Sequence, residues 1–198
     1  MAESAGKDVK ETIIAESSKL FLANGFRGTS VKEITEAAGI ARGTLYWYFK
    51  SKDEILVTIF KKFEAEFLNG LMAEVSQCTG DFTCKFKVFI KCATEYARTN
   101  RELSVAVTTL LGEIVGSHTE AETVVRGIFE KYLRFVSEMI EEGKREGTLS
   151  AEVDAGIYSH ILIACNFGML LEWLLFGDAL DTIAFVKKMR SVLLRGIA

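Results

Sequence analysis

Residues 29–52 read TSVKEITEAAGIARGTLYWYFKSK, and the spacing of apolar side chains along them decides how the chain begins to fold. Val31, Ile34 and Ala38 recur at intervals of three and four, which makes one apolar face on a two-turn helix. Gly39 follows as the residue able to take the left-handed turn that swings the chain into a second helix. Ile40 plugs the corner, Leu45 and Phe49 continue the core face, and the small Ala37 and Ala38 let the two helices approach closely. Two short helices joined in this way form a helix-turn-helix, whose second helix can enter the major groove of DNA.

The face that the core leaves over has the chemistry for that task. Arg42, at the start of the second helix, can donate two parallel hydrogen bonds to a guanine edge. Gly43 admits close approach of the backbone, and Thr44 can bond a phosphate or a base. Tyr46, Trp47 and Tyr48 point mostly outward, each with a donor, and three exposed aromatics on one short helix call for a partner. Lys50 and Lys52 flank the start of the next helix, where backbone amides and positive charge together favour a phosphate; Thr29, Ser30 and Lys32 do the same one helix earlier.

Outward from this stretch the chain keeps a helical rhythm. No proline occurs in the 198 residues, so the breaks fall at Gly and polar clusters such as Asn24-Gly25, Thr79-Gly80-Asp81, Gly116-Ser117 and Gly147-Thr148. Pairs that form S/T-x-x-E capping boxes stand at Ser30/Glu33, Ser51/Glu54 and Thr119/Glu122, and Asp81, Asn100 and Asp178 are N-cap candidates. The predicted helices are 8–24, 31–38, 42–48, 52–77, 82–98, 101–116, 120–146, 151–176 and 179–196. This is an all-α fold of about nine helices without strands. An N-terminal three-helix helix-turn-helix domain, 1–52, precedes a helical bundle, 53–198, expected to sense a ligand and to dimerise.

Composition narrows the class further. The net charge of −3 argues against a protein that coats nucleic acid non-specifically. Residues 1–52 nevertheless carry eight Lys and Arg against six Asp and Glu, so the positive excess sits at the front. Cys78, Cys84, Cys92 and Cys165 show neither a C-x-x-C pair nor a His at zinc spacing, so no metal site and no disulfide framework is expected. They read as thiols packed like small hydrophobes, with a redox role for Cys78 and Cys84, beside Lys85 and Lys87, left open. No apolar run reads as long enough to span a bilayer, since Ile161 to Phe176 is interrupted by Asn166 and Glu172. With no signal-peptide core at the start either, the expected location is the cytoplasm and no membrane partner is expected.

The bundle contains no catalytic constellation: His118 reads as a solvated loop residue and His160 as a core or interface residue, so neither enzyme activity nor a cofactor is expected. Its aromatic stripes are first of all core. A Phe-rich bundle with a few polar groups is also the usual pocket for a lipophilic ligand. Phe63, Phe67, Phe89 and Phe129 are the candidate walls, and Tyr96, Thr108, Glu113 and Asn166 the candidate polar anchors. The last two helices are apolar on more than one face, through Ile157, Ile161, Leu162, Phe167, Leu170, Leu171, Leu174 and Leu175, then Phe185, Met189, Val192 and Leu193. A helix apolar nearly all round must be buried nearly all round, and a second copy of the same helix pair would cover the surplus.

Residues 10–56 closely resemble the N-terminal domain of the TetR family of repressors. The likeness rests on the apolar first helix, LF-x-x-x-GF, the T-S before the second helix, A-G-I, G-T-L-Y-x-Y-F and S-K-x-E-x-L. It implies a homodimer that binds a palindromic operator and is released by a small, here hydrophobic, effector. Position by position it puts Arg42, Gly43, Thr44 and Tyr46 toward bases and Thr29, Lys32, Trp47, Tyr48 and Lys52 on phosphates. Ala41 departs from the family, which often has a capping Ser there. A regulator answering to a protein partner, with no small-molecule inducer, is the alternative.

Overall fold

The computed structural model describes the backbone of residues 2–196 and the side chains of residues 8–196 except Leu174 and Asp178. The described residues form helices and turns with no strand among them. The helices are α1 (Ala2–Gly28), α2 (Val31–Ala37), α3 (Arg42–Tyr48), α4 (Lys52–Phe63) and α5 (Asn69–Gln77). They continue with α6 (Phe82–Thr99), α7 (Arg101–Ile114), α8 (Glu120–Arg145), α9 (Ala155–Phe176) and α10 (Thr182–Arg195). A π-helical turn, Glu64–Leu68, joins α4 to α5 without a break, so the single helix predicted over 52–77 is real but changes its winding midway.

Two compact units emerge, residues 1–64 with 102–127 and residues 65–101 with 128–198. In the first, α1 packs on α2 and α4, and α2 on α3, around Ile13, Phe21, Ile34, Leu45, Phe49, Ile55 and Phe60, all essentially inaccessible. In the second, α5 packs on α6, which also meets α9 and α10. Phe82, Phe86 and Phe89 recur at helical spacing on α6 and stack at 5.7 and 6.2 Å, filling the core of this unit together with Tyr132. Ile114 ends α7 in the first unit, and that chain segment is grouped with the helix-turn-helix.

Helix starts follow the polar side chains able to cap them. Asp81 accepts from the Cys84 amide at 3.0 Å and opens α6, as its position suggested. The predicted starts at 151 and 179 move later because Asp154 and Asp181 supply the caps, to the amides of Ile157 and Ala184. Asp178, the sequence candidate for the last cap, lies outside the described side chains, as does Leu174. At the end of α1 the helical backbone breaks at Gly25, whose φ of 75° and ψ of 162° suit glycine.

One apolar run is longer than the sequence reading allowed. Within α9, Ala155–Trp173 is long and apolar enough by length and composition to cross a bilayer, with 39% of it buried inside this chain. The apolar stretch starts six residues before Ile161, and Glu172, next to its end, is the one Asp, Glu, Lys or Arg within it.

Candidate nucleic-acid interface and ligand groove

α2 begins at a complete capping box. Ser30 Oγ accepts from the Glu33 amide at 3.2 Å while Glu33 Oε2 accepts from the Ser30 amide at 2.7 Å. These bonds, led by the Ser30 amide and followed by its hydroxyl, hold the Glu33 carboxyl below its usual range. The anion-seeking end of α2 is therefore met by the protein's own carboxylate. Ser30 and Lys32 remain exposed beside it, with Lys32 Nζ 3.7 Å from Glu36. Gly39 takes φ 65°, as expected, and the Ile40 amide bonds back to the Thr35 carbonyl, which closes the turn.

Chemistry is presented outward on α3. Leu45 and Phe49 are buried, whereas Arg42, Gly43, Thr44, Tyr46 and Lys50 are exposed, Trp47 retains 78% of its surface and Tyr48 is half-buried. Arg42 lies over the Tyr46 ring at 5.6 Å with a long contact to its hydroxyl, and Trp47 meets Tyr48 edge-on at 4.6 Å. No side chain caps α3, because Ala41 has no atom to do so. The arrangement offers the Arg42 guanidinium, the Thr44 and Tyr46 hydroxyls and the Trp47 indole on the exposed part of α3, with Tyr48 half-buried beside them.

Two residues expected at phosphates are placed differently. Thr29 is buried, and its hydroxyl donates to the carbonyls of Gly25 and Leu20 at 2.8 and 3.2 Å. Lys52 Nζ donates to the carbonyls of Phe26 and Thr29 at 2.6 and 2.7 Å and sits 4.4 Å over the Phe26 ring. Burial pushes the Lys52 ammonium below its ordinary range, against the opposing pull of Asp53, Glu113 and Glu33. Glu113, expected as a ligand anchor, belongs to the same bend: its carboxylate accepts from the amides of Phe26 and Arg27 at 3.0 to 3.3 Å. Glycine suits position 25 by its φ, and a Cβ there would stand 2.9 Å from Glu113 Oε1 and displace the carboxylate from the bend.

The remaining ligand candidates divide between the units. Phe63 is buried in the first unit, which also holds the half-buried Thr108, whose hydroxyl donates to the Ser104 carbonyl of its own helix. In the second unit Phe67, Phe89, Tyr96 and Asn166 come together around an aromatic that was not among the ligand candidates. Tyr132 lies 6.3 Å from Phe67 and 5.9 Å from Phe89, and its hydroxyl accepts from Asn166 Nδ2 at 3.2 Å. Phe67 and Tyr96 rings lie 4.9 Å apart, and Phe129 packs on Phe167 at 5.2 Å. Burial raises the Tyr132 and Tyr96 hydroxyls above the usual phenol range, with Glu66 adding to the effect at Tyr96. Both stay protonated donors at any physiological pH.

Beside this cluster, α6, α9 and α10 enclose a groove of about 600 Å³. Its apolar lining comes from Ile90, Met169, Leu170, Trp173, Ile183 and Val186, and its charged lining from Lys87, Lys91, Arg98, Lys187 and Arg190 against the one carboxylate of Glu95. None of the ligand residues inferred from sequence lines it. The signal that could have found it is the placing of Lys87, Lys91 and Arg98 at intervals of four and seven along one face of α6.

An exposed, aromatic recognition helix held on a buried Leu45–Phe49 face is the mark of a helix-turn-helix regulator that reads DNA. The family is then shown by the whole chain. Residues 13–59 match the family described as bacterial regulatory proteins, tetR family, and residues 60–196 match the YsiA-like protein C-terminal region. The chain belongs to the TetR family and is a DNA-binding transcriptional regulator. It is 23% identical over 185 residues to the fatty acid metabolism regulator protein of Bacillus subtilis (strain 168), covering 93% of each chain. It is 21% identical over 197 residues to the HTH-type transcriptional repressor KstR2 of Rhodococcus jostii (strain RHA1), covering 99% of this chain and 95% of that one. Among solved structures, the transcriptional regulator FadR of Bacillus subtilis in complex with stearoyl-CoA superposes with a TM-score of 0.81 at 21% identity, covering 95% of this chain and 99% of that one. The MbdR regulator of Azoarcus sp. CIB gives a TM-score of 0.82 at 25% identity, with 96% and 99% covered.

Proposed function

We propose that this regulator is a cytoplasmic repressor that holds a palindromic operator as a homodimer and lets go when an amphiphile with an apolar chain and an anionic head binds. The observation that carries the effector class is the groove between α6, α9 and α10, whose lining combines apolar side chains with five cations and one carboxylate. The stearoyl-CoA bound by the Bacillus subtilis FadR divides into the same two parts, a long hydrocarbon and a polyanionic head. The Phe67–Tyr96–Tyr132–Phe89 cluster supports this reading as packed aromatic core next to the groove.

In this proposal the operator is read by Arg42, Gly43, Thr44 and Tyr46 and its phosphates are met by Ser30, Lys32, Trp47, Tyr48 and Lys50. Thr29 and Lys52 act from behind by shaping the bend before α2, and Glu113 does the same. The division into a DNA-reading part, 1–52, and a sensing and dimerising part, 53–198, stands as part of the same reading. The apolar surface of α9 and α10 is assigned to a second copy of the chain rather than to a lipid bilayer.

The test is a titration of palmitoyl-CoA against the operator complex, followed by fluorescence anisotropy on an operator selected from a random duplex library. Wild type is expected to release the duplex as palmitoyl-CoA is added, because only a ligand that favours one of two states can shift them. Arg42→Ala should weaken operator binding by about 1–3 kcal/mol and relax preference at one base position. Lys91→Glu with Arg98→Glu should keep operator affinity and lose the response. Tight palmitoyl-CoA binding with no release would sink the effector reading while leaving the operator reading intact.

A further inference from the structure

The connection between α5 and α6 brings two cysteine sulfurs together. Cys78 closes α5, its amide bonded to the Val75 carbonyl at 3.1 Å, and Cys84 stands in the first turn of α6. Their Sγ atoms lie 2.8 Å apart, both side chains are half-buried, and both are free thiols. A disulfide needs about 2.0 Å between sulfurs, so a movement of under about 1 Å separates this contact from a bond.

The local sequence builds the contact. Asp81 caps the amide of Cys84 and so starts α6 three residues before it, and side chains of a first helical turn lean back toward the helix N-terminus. That lean carries Cys84 Sγ over the loop to the end of α5. Gly80 leaves the room: a Cβ there would lie 2.5 Å from Cys84 Cβ and 2.9 Å from its Sγ. The other two thiols stand on separate helices, Cys92 on α6 and Cys165 on α9.

We propose that Cys78 and Cys84 are an oxidation site, forming a reversible intramolecular disulfide when the protein meets a hydroperoxide. One thiolate attacks a peroxide oxygen, the O–O bond breaks, and the departing oxygen takes a proton and leaves as water from hydrogen peroxide or as an alcohol from an organic hydroperoxide. The resulting sulfenic acid is attacked by the second sulfur; the S–S bond forms, the S–O bond breaks, and hydroxide leaves as water with the second thiol's proton. The two sulfurs lose two electrons and the peroxide gains them. The Cys84 thiol is pushed up by its contact with the Cys78 sulfur, then by burial, with Asp81 adding and Lys87 opposing. The bond would staple the end of α5 to the helix that carries Lys87, Ile90 and Lys91 of the groove. In a reducing compartment it would be transient and reversed by small thiols.

The experiment treats the full-length reduced protein with hydrogen peroxide, alkylates the remaining thiols, and weighs the tryptic peptides before and after dithiothreitol. Alkylatable thiols should fall from four to two. The peptide spanning Cys78 and Cys84 should lose two hydrogens and take no label, and dithiothreitol should restore all four thiols. Cys78→Ser and Cys84→Ser should each abolish that mass change. Gly80→Ala, which keeps both sulfurs, should cut the cross-linked fraction in protein whose circular dichroism is unchanged. Labelled Cys78 and Cys84 after peroxide, separate sulfinic acids on each, or bonds to Cys92 or Cys165 instead would overturn the proposal. So would Gly80→Ala cross-linking as readily as wild type.

Discussion

Lys52 and Glu113 grip one bend of backbone with opposite charges. The Glu113 carboxylate takes the amides of Phe26 and Arg27, and the Lys52 ammonium takes the carbonyls of Phe26 and Thr29. Between them they satisfy the polar groups left over where α1 breaks at Gly25, before α2 can begin. Removing one partner leaves half-buried amides or carbonyls without a bond, which costs about 1–3 kcal/mol. Glu113→Ala should therefore lower the unfolding free energy read from urea titration by that amount, with operator specificity retained by whatever fraction stays folded. Lys52→Ala discriminates between two roles for the same residue. If it shapes the bend, stability falls and the salt dependence of operator binding keeps its slope. A lysine on a phosphate would instead lower the slope of log affinity against log salt by about one with stability unchanged. Nothing in the string S-K-x-E-x-L distinguishes the two, because which carbonyls face Lys52 depends on residues 23 to 26 positions earlier in the chain.

Caps decide where most helices start, and the polar punctuation of the chain made much of the fold legible. The Ser30 box and the Asp81 cap form as read. In the Ser51 and Thr119 pairs only half of each box forms, since Glu54 turns to the Lys50 amide and Glu122 to the amides of Gly116 and His118. The π turn at Glu64–Leu68 carried no signal, because Phe60, Phe63, Phe67 and Leu71 keep apolar spacing straight through it. The groove was illegible for a different reason. Its lining comes from α6, α9 and α10, so no single helix pattern contains it. At the α7–α8 corner the half-formed box has a measurable consequence. His118 adopts φ 56°, and the Glu122 carboxylate bonds its amide at 2.8 Å, the Gly116 amide at 3.2 Å and the Arg126 guanidinium at 3.1 Å. These bonds, the His118 and Gly116 amides first and Arg126 next, lower the Glu122 carboxyl to about 2. The folded value lies below the ordinary one, so the stability this group contributes is complete above about pH 4.5 and is lost as pH falls toward 2. Glu122→Gln should flatten that part of the acid limb when melting temperature is followed between those values. A limb of unchanged steepness would remove Glu122 from the account.

On the scale of the whole molecule, the front of the chain holds only a small positive excess in a protein of net charge −3. Operator affinity must then come from a few placed contacts on α3, and a palindromic site is met best by two copies held at fixed spacing. The chain supplies a surface for that. Ile157 is 59% exposed, Leu175 75%, Ile183 70% and Val192 58%, and α10 buries none of its residues within its own chain. So many exposed large apolar side chains on two neighbouring helices mark an interaction surface rather than a solvated one. The same face explains how Ala155–Trp173 can be apolar enough for a bilayer and yet belong to a DNA-reading protein, with Asn166 turned inward to Tyr132. Leu175→Lys combined with Val192→Lys puts like charges where a partner's apolar residues would pack, without touching a buried position or the groove. The wild-type regulator should sediment as a dimer. The double variant should sediment as a monomer with undiminished helical circular dichroism. Its operator binding should fall steeply while single half-site binding persists, because linking two weak modules multiplies their affinity by a factor of order 10²–10⁴. A double variant that still sediments as a dimer and still holds the full operator would move the interface elsewhere. One that sediments as a monomer yet binds the full operator as tightly as wild type would show that α3 works alone.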